Sequence, residues 1–444
     1  MRNKHWLKFH KYAVRVRFLR GPCNTIPPSI QRIILVALAH FADSSSPLLP
    51  NLTELTWDEW DRNLANSTVP LIKYFAGPRV TTLSLFLEAW PSRNSERSAL
   101  TNLPDLCPNV TSLTAMFRYN YVDRSAAVGD FIRRWSDLQV LRTSELSQSM
   151  ISELPCWKDL ARISVAVTST TSELVHLPSV IRRFSLEGTN AWRCIRYLRT
   201  LQGSPTHLHL HVGQEDIPFS MDMLFQLLPT RLDTTQLENL TISFRSMYCR
   251  PLPPLAFPLT EGLLQLLYPL SALVSLNLNA FCASGLNDAA YRRLASAWPK
   301  LRCLKIGVAD ETRVAPVATV GAVIAVLKLC PSLETLHIVF NGSVPPPLPR
   351  IIVNAEEEDR DVATSYVGPW GVSNQHITAI HVGHSPIVAD RVRLSDLVVC
   401  LRSIMPRLGI IQSRTSPREV ADSWRTAQHM LLETFDWATC DIDS

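Results

Sequence analysis

Along most of the chain apolar residues return in one short phrase, apolar-x-x-apolar-x-apolar, with polar or small residues between them. Clear copies are Leu52/Leu55/Trp57, Val80/Leu83/Leu85, Val110/Leu113/Ala115, Leu160/Ile163/Val165, Ile181/Phe184/Leu186, Leu237/Leu240/Ile242, Leu273/Leu276/Leu278, Leu301/Leu304/Ile306, Leu333/Leu336/Ile338 and Ile377/Ile380/Val382. Weaker copies stand at Leu138/Leu141 and Leu208/Leu210. The alternation at the end of each phrase has the period of a strand buried on one face. First positions 52, 80, 110 and 138 lie 28, 30 and 28 residues apart, and 273, 301 and 333 lie 28 and 32 apart. A recurring interval of this size marks a chain built by repetition.

Between the phrases, apolar residues recur at three and four positions, which predicts helices over Ala126 to Trp135, Glu261 to Tyr268, Asp288 to Trp298 and Val320 to Leu329. Prolines at 108, 299, 331 and 406 stand where a helix must stop before the next strand. A unit of helix, proline turn and strand cannot bury its own apolar face, so neighbours must stack. The expected fold is therefore an α/β leucine-rich-repeat solenoid, a horseshoe of about 12–14 irregular repeats with parallel strands on the concave face and helices on the convex face. Its expected parts are an N-terminal basic cap and first repeat over 1–50, the solenoid over 51–412, and a capping helix with tail over 413–444. The alternation over residues 12–19 predicts the first strand, with Ile30 to Phe41 as its helix. Near the other end, Leu394 to Ile404 reads as a helix, Leu408 to Ile411 as a weak strand and Val420 to Phe435 as the cap. Proline clusters predict long loops near 245–260 and 341–375, the second carrying the acidic run Glu356, Glu357, Glu358, Asp359 and Asp361.

Side chains between the Leu-type positions face the open side of the strands, and these are the candidate protein-binding residues. Arg142, Arg162 and Arg183 fall on consecutive strands, where they could form a basic stripe for carboxylates or phosphates, though like charges so close repel and a solvated set is the simpler reading. His207, His209 and His211 alternate with Leu208 and Leu210 and share one face. Alternate histidines can hold zinc, but a metal needs further ligands, and the spacing of the other Cys and His residues supplies none. A polar, pH-sensitive contact surface is the simpler reading. Asn239, Asn277, Lys305 and His337 complete the candidates, and no metal or other cofactor is expected.

Charge adds one feature. The net charge is +5, yet residues 1–20 carry seven Lys or Arg and no acid, leaving 37 basic against 39 acidic residues elsewhere. Aromatic and β-branched residues interleave with those cations, which favours a folded edge with a solvated basic face over a nucleic-acid contact. Ten cysteines without a Cys-x-x-Cys pair or framework spacing read as reduced, mostly buried thiols, with Cys107 and Cys330 at helix ends before proline. Of five Asn-x-Ser/Thr triplets, those at Asn51, Asn109 and Asn239 fall inside the repeat phrase and read as by-products of it. No secretory leader or spanning segment is visible, so a cytoplasmic or nuclear location without membrane contact is expected.

No phosphate-loop, dinucleotide, nucleophile-elbow or zinc-protease pattern occurs, and only 15 glycines are present, so no enzyme activity is expected. Leu48 to Trp57, the preceding Trp6, Phe9 and Tyr12 to Arg17, and Leu329 to Leu336 together resemble the leucine-rich-repeat region of fungal F-box proteins. The resemblance covers nearly the full chain. It implies an intracellular recognition scaffold, a substrate receptor of an SCF-type ubiquitin ligase whose repeats bind a protein on the concave face. No F-box-like Leu-Pro-x-Glu helix precedes the repeats, so a Skp1-like adaptor is an expected partner only if such a module lies upstream. The alternatives are a regulator acting through an exposed Arg, or a metal- or nucleic-acid-binding module.

Overall fold

The computed structural model describes residues 3–20, 35–37, 47–59, 68–90, 93–119, 125–144, 150–151, 154–167, 175–215, 217–245, 257–307, 314–346, 370–387, 390–414 and 418–440. The chain divides into two compact units, Met1–Thr189 with Arg196–Pro205 and Asn190–Ile195 with Thr206–Ser444.

In the first unit seven strands run parallel: β1 (Phe18–Arg20), β2 (Glu54–Asp58), β3 (Thr82–Ala89), β4 (Ser112–Tyr119), β5 (Val140–Thr143), β6 (Arg162–Val167) and, after a short β7 (Val175–His176), β8 (Arg183–Asn190). They neighbour one another in that order, while β7 pairs instead with β9 (Leu201–Gln202). The second unit holds seven more in chain order: β10 (His207–Glu215), β11 (Asn239–Arg245), β12 (Ser275–Leu278), β13 (Cys303–Ile306), β14 (Thr335–His337), β15 (Ala379–Gly383) and β16 (Ile410–Ser413). Each unit is a leucine-rich-repeat α/β array.

The register follows from the phrase. Leu55, Leu83, Leu113, Leu141, Ile163 and Phe184 are mutual partners across the first unit, and every one is fully buried. Leu208, Leu240, Leu276, Leu304, Leu336 and Ile380 do the same in the second. A one-residue slip would turn each of these side chains to water, at about 1.5–3 kcal/mol apiece, so the register is strongly specified. Backbone bonding repeats with the same period. Thr53 O accepts N–H bonds from both Thr81 (2.9 Å) and Thr82 (3.1 Å), and Thr81, Thr111, Gln139 and Ala161 accept two apiece from the next layer. In the second unit Thr206, Glu238, Val274, Arg302 and Thr378 play this part.

The helices lie close to their expected places, at Ser125–Arg133, Glu261–Leu267, Asp288–Ala297, Val320–Leu329 and Arg391–Ile404. Their exits share one geometry. Cys107, Trp298, Cys330 and Met405, each before a proline, sit at φ −121° to −135° and ψ 63° to 76°, while their N–H groups still bond back into the helix. The following proline ring excludes the helical conformation at that residue and so times the turn. At the entries, side-chain oxygens of Thr260, Asn287, Thr319 and Asp390 accept N–H groups of the first turn.

Five expectations are corrected or fall wholly or partly outside the described residues. Residues 12–19 are not a strand: a helix runs over Asn3–Ala13, and β1 starts only at Phe18. The apolar spacing that decides this is three and four, with Trp6 stacked on Phe9 (5.1 Å) and edge-on to His10 (4.8 Å). Apart from a helical turn at 35–37, the expected helix from Ile30 to Phe41 lies outside the described residues, as do 246–256 and 347–369 of the two expected loops. The weak strand near 408–411 begins later, at Ile410. Beside it runs the helix Arg418–Cys440, whose Gln428 side chain accepts from Ile411 N (2.5 Å) and donates to Gly409 O (2.6 Å).

Cysteines and sequons occupy structural places. Cys107, Cys156, Cys303, Cys330 and Cys400 are free thiols, and burial pushes Cys107, Cys330 and Cys400 up to about 12. Cys156 is exposed. A thiol reagent applied to the native protein at pH 8 is therefore expected to modify Cys156 and leave Cys107, Cys330 and Cys400 untouched until denaturant is added, as read by peptide mass spectrometry. Labelling of the three buried thiols at the rate of Cys156 would contradict the packing described. Asn51 and Asn109 donate their amides to Val14 O (2.7 Å) and Pro78 O (2.8 Å), carbonyls of the preceding layer.

Candidate interaction site

Most alternate residues of the second unit's strands are polar and half-buried, with Gln412 exposed and Ala379 and Ile410 apolar, and parallel pairing lines them up in rows. The central row reads His209, Thr241, Asn277, Lys305, His337, His381, Gln412, one residue from each of seven strands. A second row reads His207, Asn239, Ser275, Cys303, Thr335. Six candidates from the sequence, His207, His209, Asn239, Asn277, Lys305 and His337, thus lie on two adjacent rows, and His211 stands one step further along β10. No side chain in either row is acidic.

Two clusters stand at the ends of the central row. At one end Ser243 Oγ lies 2.7 Å from His211 Nδ1 and 3.3 Å from His209 Nε2, with the two imidazole centroids 3.8 Å apart. Thr206 Oγ1 lies 2.8 Å from His207 Nδ1. At the other end the rings of His337 and His381 are 4.9 Å apart. His381 Nδ1 accepts Gly383 N–H (3.3 Å), which places the proton of the neutral ring on Nε2. His337 Nδ1 is buried without a hydrogen-bond partner. Burial, followed by the charge of Lys305 and the proximity of His381 and Arg414, pushes His337 down to about 4. Burial, then Arg414 and Lys305, lowers His381 as well. Near neutral pH both rings are therefore uncharged, with the cations of Lys305 and the exposed Arg414 on either side.

In the first unit, Arg162 and Arg183 are direct register partners, but Arg142 lines up with Ser164 and Ser185, two residues further along. Arg142 Nη2 contacts both carboxylate oxygens of Glu187, at 2.7 and 3.0 Å. Glu187 is a register partner of Ala166, so the pair reaches diagonally across β6. The three arginines consequently do not form one straight stripe, because Arg142 stands two residues further along its strand than Arg162 and Arg183 do along theirs.

Sequence reasoning left His381, Ser243 and Arg414 out of the candidate set. His381 and Ser243 carried a usable signal, since they occupy the same phrase positions as His337 and His211. Arg414 lies beyond the phrase and is placed only by its N–H bond to Gly383 O (2.8 Å). Among the described residues no group of three or more His, Cys, Asp or Glu side chains is arranged to hold a metal ion. Among the same residues no helix is long and apolar enough to cross a membrane.

No protein-family model matches the chain, and no curated protein matches it. Among solved structures it is similar to a chain from the crystal structure of the Rad7 and Elc1 complex in yeast, with 13% identity, 92% of this chain and 88% of that chain covered, and a TM-score of 0.38.

Proposed function

We propose that the protein is a non-enzymatic recognition scaffold whose second unit binds a protein partner on the open face of β10–β16. The observation that carries this reading is the central row from His209 to Gln412: seven side chains, polar throughout, spaced by strand pairing at about 4.8 Å and presented on a rigid sheet. A rigid ladder of half-exposed hydrogen-bonding groups suits the polar contacts of a partner better than the closed, convergent geometry of a catalytic centre. Within this reading, the sequence resemblance to F-box repeat regions supports the role of a substrate receptor for an SCF-type ubiquitin ligase.

The test is affinity purification of the full chain from its own cells, beside Thr241→Trp, which places a bulky ring near the β10 end of the row, on the strand next to His209. The variant is expected to keep its circular dichroism and melting temperature while losing the specific partner at least tenfold. An identical set of partners for both proteins would overturn the reading. Recovery of a Skp1-like adaptor with both proteins would support the ligase role, and a stable partner without any such adaptor would remove it.

A further inference from the structure

We infer that the β13–β16 end of this face is a subsite for an acidic peptide segment of a protein partner, with Lys305 and Arg414 as its cationic anchors and His337 and His381 between them. The inference rests on the scaffold reading above and specifies the chemistry of the partner.

Three observations point the same way. First, charge is of one sign. The row positions from β13 to β16 are Lys305, His337, His381 and Gln412, none is acidic, and Arg414 lies two residues beyond Gln412, just past the end of β16. The other charged contacts nearby lie off this face: Arg302 pairs with Glu334, and both occupy the positions just before their strands. Second, the spacing suits an extended chain. Lys305 and the β16 end are three strand steps apart, about 14 Å, which an extended peptide covers in about four residues. Carboxylates at positions i and i+4 of such a peptide could therefore meet both cations. Third, the groups between the anchors lack something that an acid would supply. His337 Nδ1 is buried with no partner, and its ring is held neutral by burial beside Lys305, His381 and Arg414. A carboxylate laid across the row would offset those cations and so favour protonation of the ring.

An acidic ligand bound mainly through two cations on an open face is also expected to be salt-sensitive, because charges near the surface are screened within about 8 Å at physiological ionic strength. Apolar contacts would contribute less here, since the side chains in the row are polar.

The experiment is fluorescence anisotropy with the full chain and three labelled peptides: one with glutamates at i and i+4 in a Gly/Ser background, its glutamine counterpart, and its lysine counterpart. The expected result is that only the glutamate peptide binds, that Lys305→Glu and Arg414→Glu each weaken it at least tenfold, and that raising salt from 50 to 500 mM weakens it by a similar factor. Lys305→Gln, which removes the charge but keeps a polar side chain, is expected to weaken binding about threefold to tenfold, covering the case in which a charge reversal perturbs folding. Equal binding of the glutamate and glutamine peptides would overturn the inference. So would glutamate-peptide binding that survives both charge reversals, since it would then belong to another basic surface such as the 1–20 segment. Failure is distinguishable from failure of the scaffold reading: if Thr241→Trp loses the cellular partner while Lys305→Glu keeps it, the face binds a partner that is not acidic at this end.

Discussion

Asn374→Ala is expected to lower the stability of the second unit by about 4 kcal/mol, the larger of the two effects anticipated from single side chains. Asn374 is 2% exposed and uses its whole amide. Its Nδ2 donates to Pro331 O (3.2 Å) and Leu333 O (2.9 Å), and its Oδ1 accepts from His376 N (2.9 Å) and Ile377 N (3.0 Å). The residue thereby fastens the start of one repeat to the helix exit of the previous one, where Leu333 O and Ile377 N would otherwise be buried without these bonds and Pro331 O and His376 N left half-buried without theirs. Alanine removes all four bonds at once. Urea denaturation followed by tryptophan fluorescence should show a lower midpoint with little change in slope. A loss below about 1 kcal/mol would show that the backbone groups find other partners.

Phe281→Ala is expected to cost about 3–4 kcal/mol by creating a cavity at the centre of an aromatic cluster. Phe281 is fully buried, and its ring centroid lies 4.9 Å from Phe244, 5.8 Å from Phe225 and 6.0 Å from Phe257. Phe225 comes from the helix Ile217–Arg231 and Phe244 from β11, so one ring joins elements of different layers. Phe281→Leu retains most of the apolar volume and should lose less than half as much. Similar losses for the two variants in the same urea titration would mean that the site collapses around alanine rather than staying open.

The repeat phrase makes much of the architecture legible in the chain itself. Its alternating Leu positions are the buried register partners, from Leu55 to Phe184 and from Leu208 to Ile380. Helices are legible for the same reason: spacing of three and four between proline stops leaves few alternatives for Asp288–Ala297 or Val320–Leu329. The reading fails where two periods overlap. Residues 12–19 alternate well enough for a strand, but the preceding Trp6, Phe9, His10 and Ala13 satisfy the helical period, and the chain follows the longer signal.

The candidate site divides along a similar line. Which side chains share the open face is a local property of alternation, so His207, His209, Asn239, Asn277, Lys305 and His337 could be named from the chain alone. Which of them meet is not local. Register decided that Arg142 stands two residues away from the Arg162–Arg183 pair and beside Glu187, and it decided that Lys305, His337 and His381 form one row. The role of Asn374 and the position of Arg414 depend on backbone groups more than 30 residues away in the chain, contacts that no short window contains. Sequence by itself determined the repeating unit, its buried positions and the polar character of its open face, because those follow from periodicity and the removal of apolar side chains from water. Only the tertiary structure decided the neighbours across that face, because strand register is a property of paired layers.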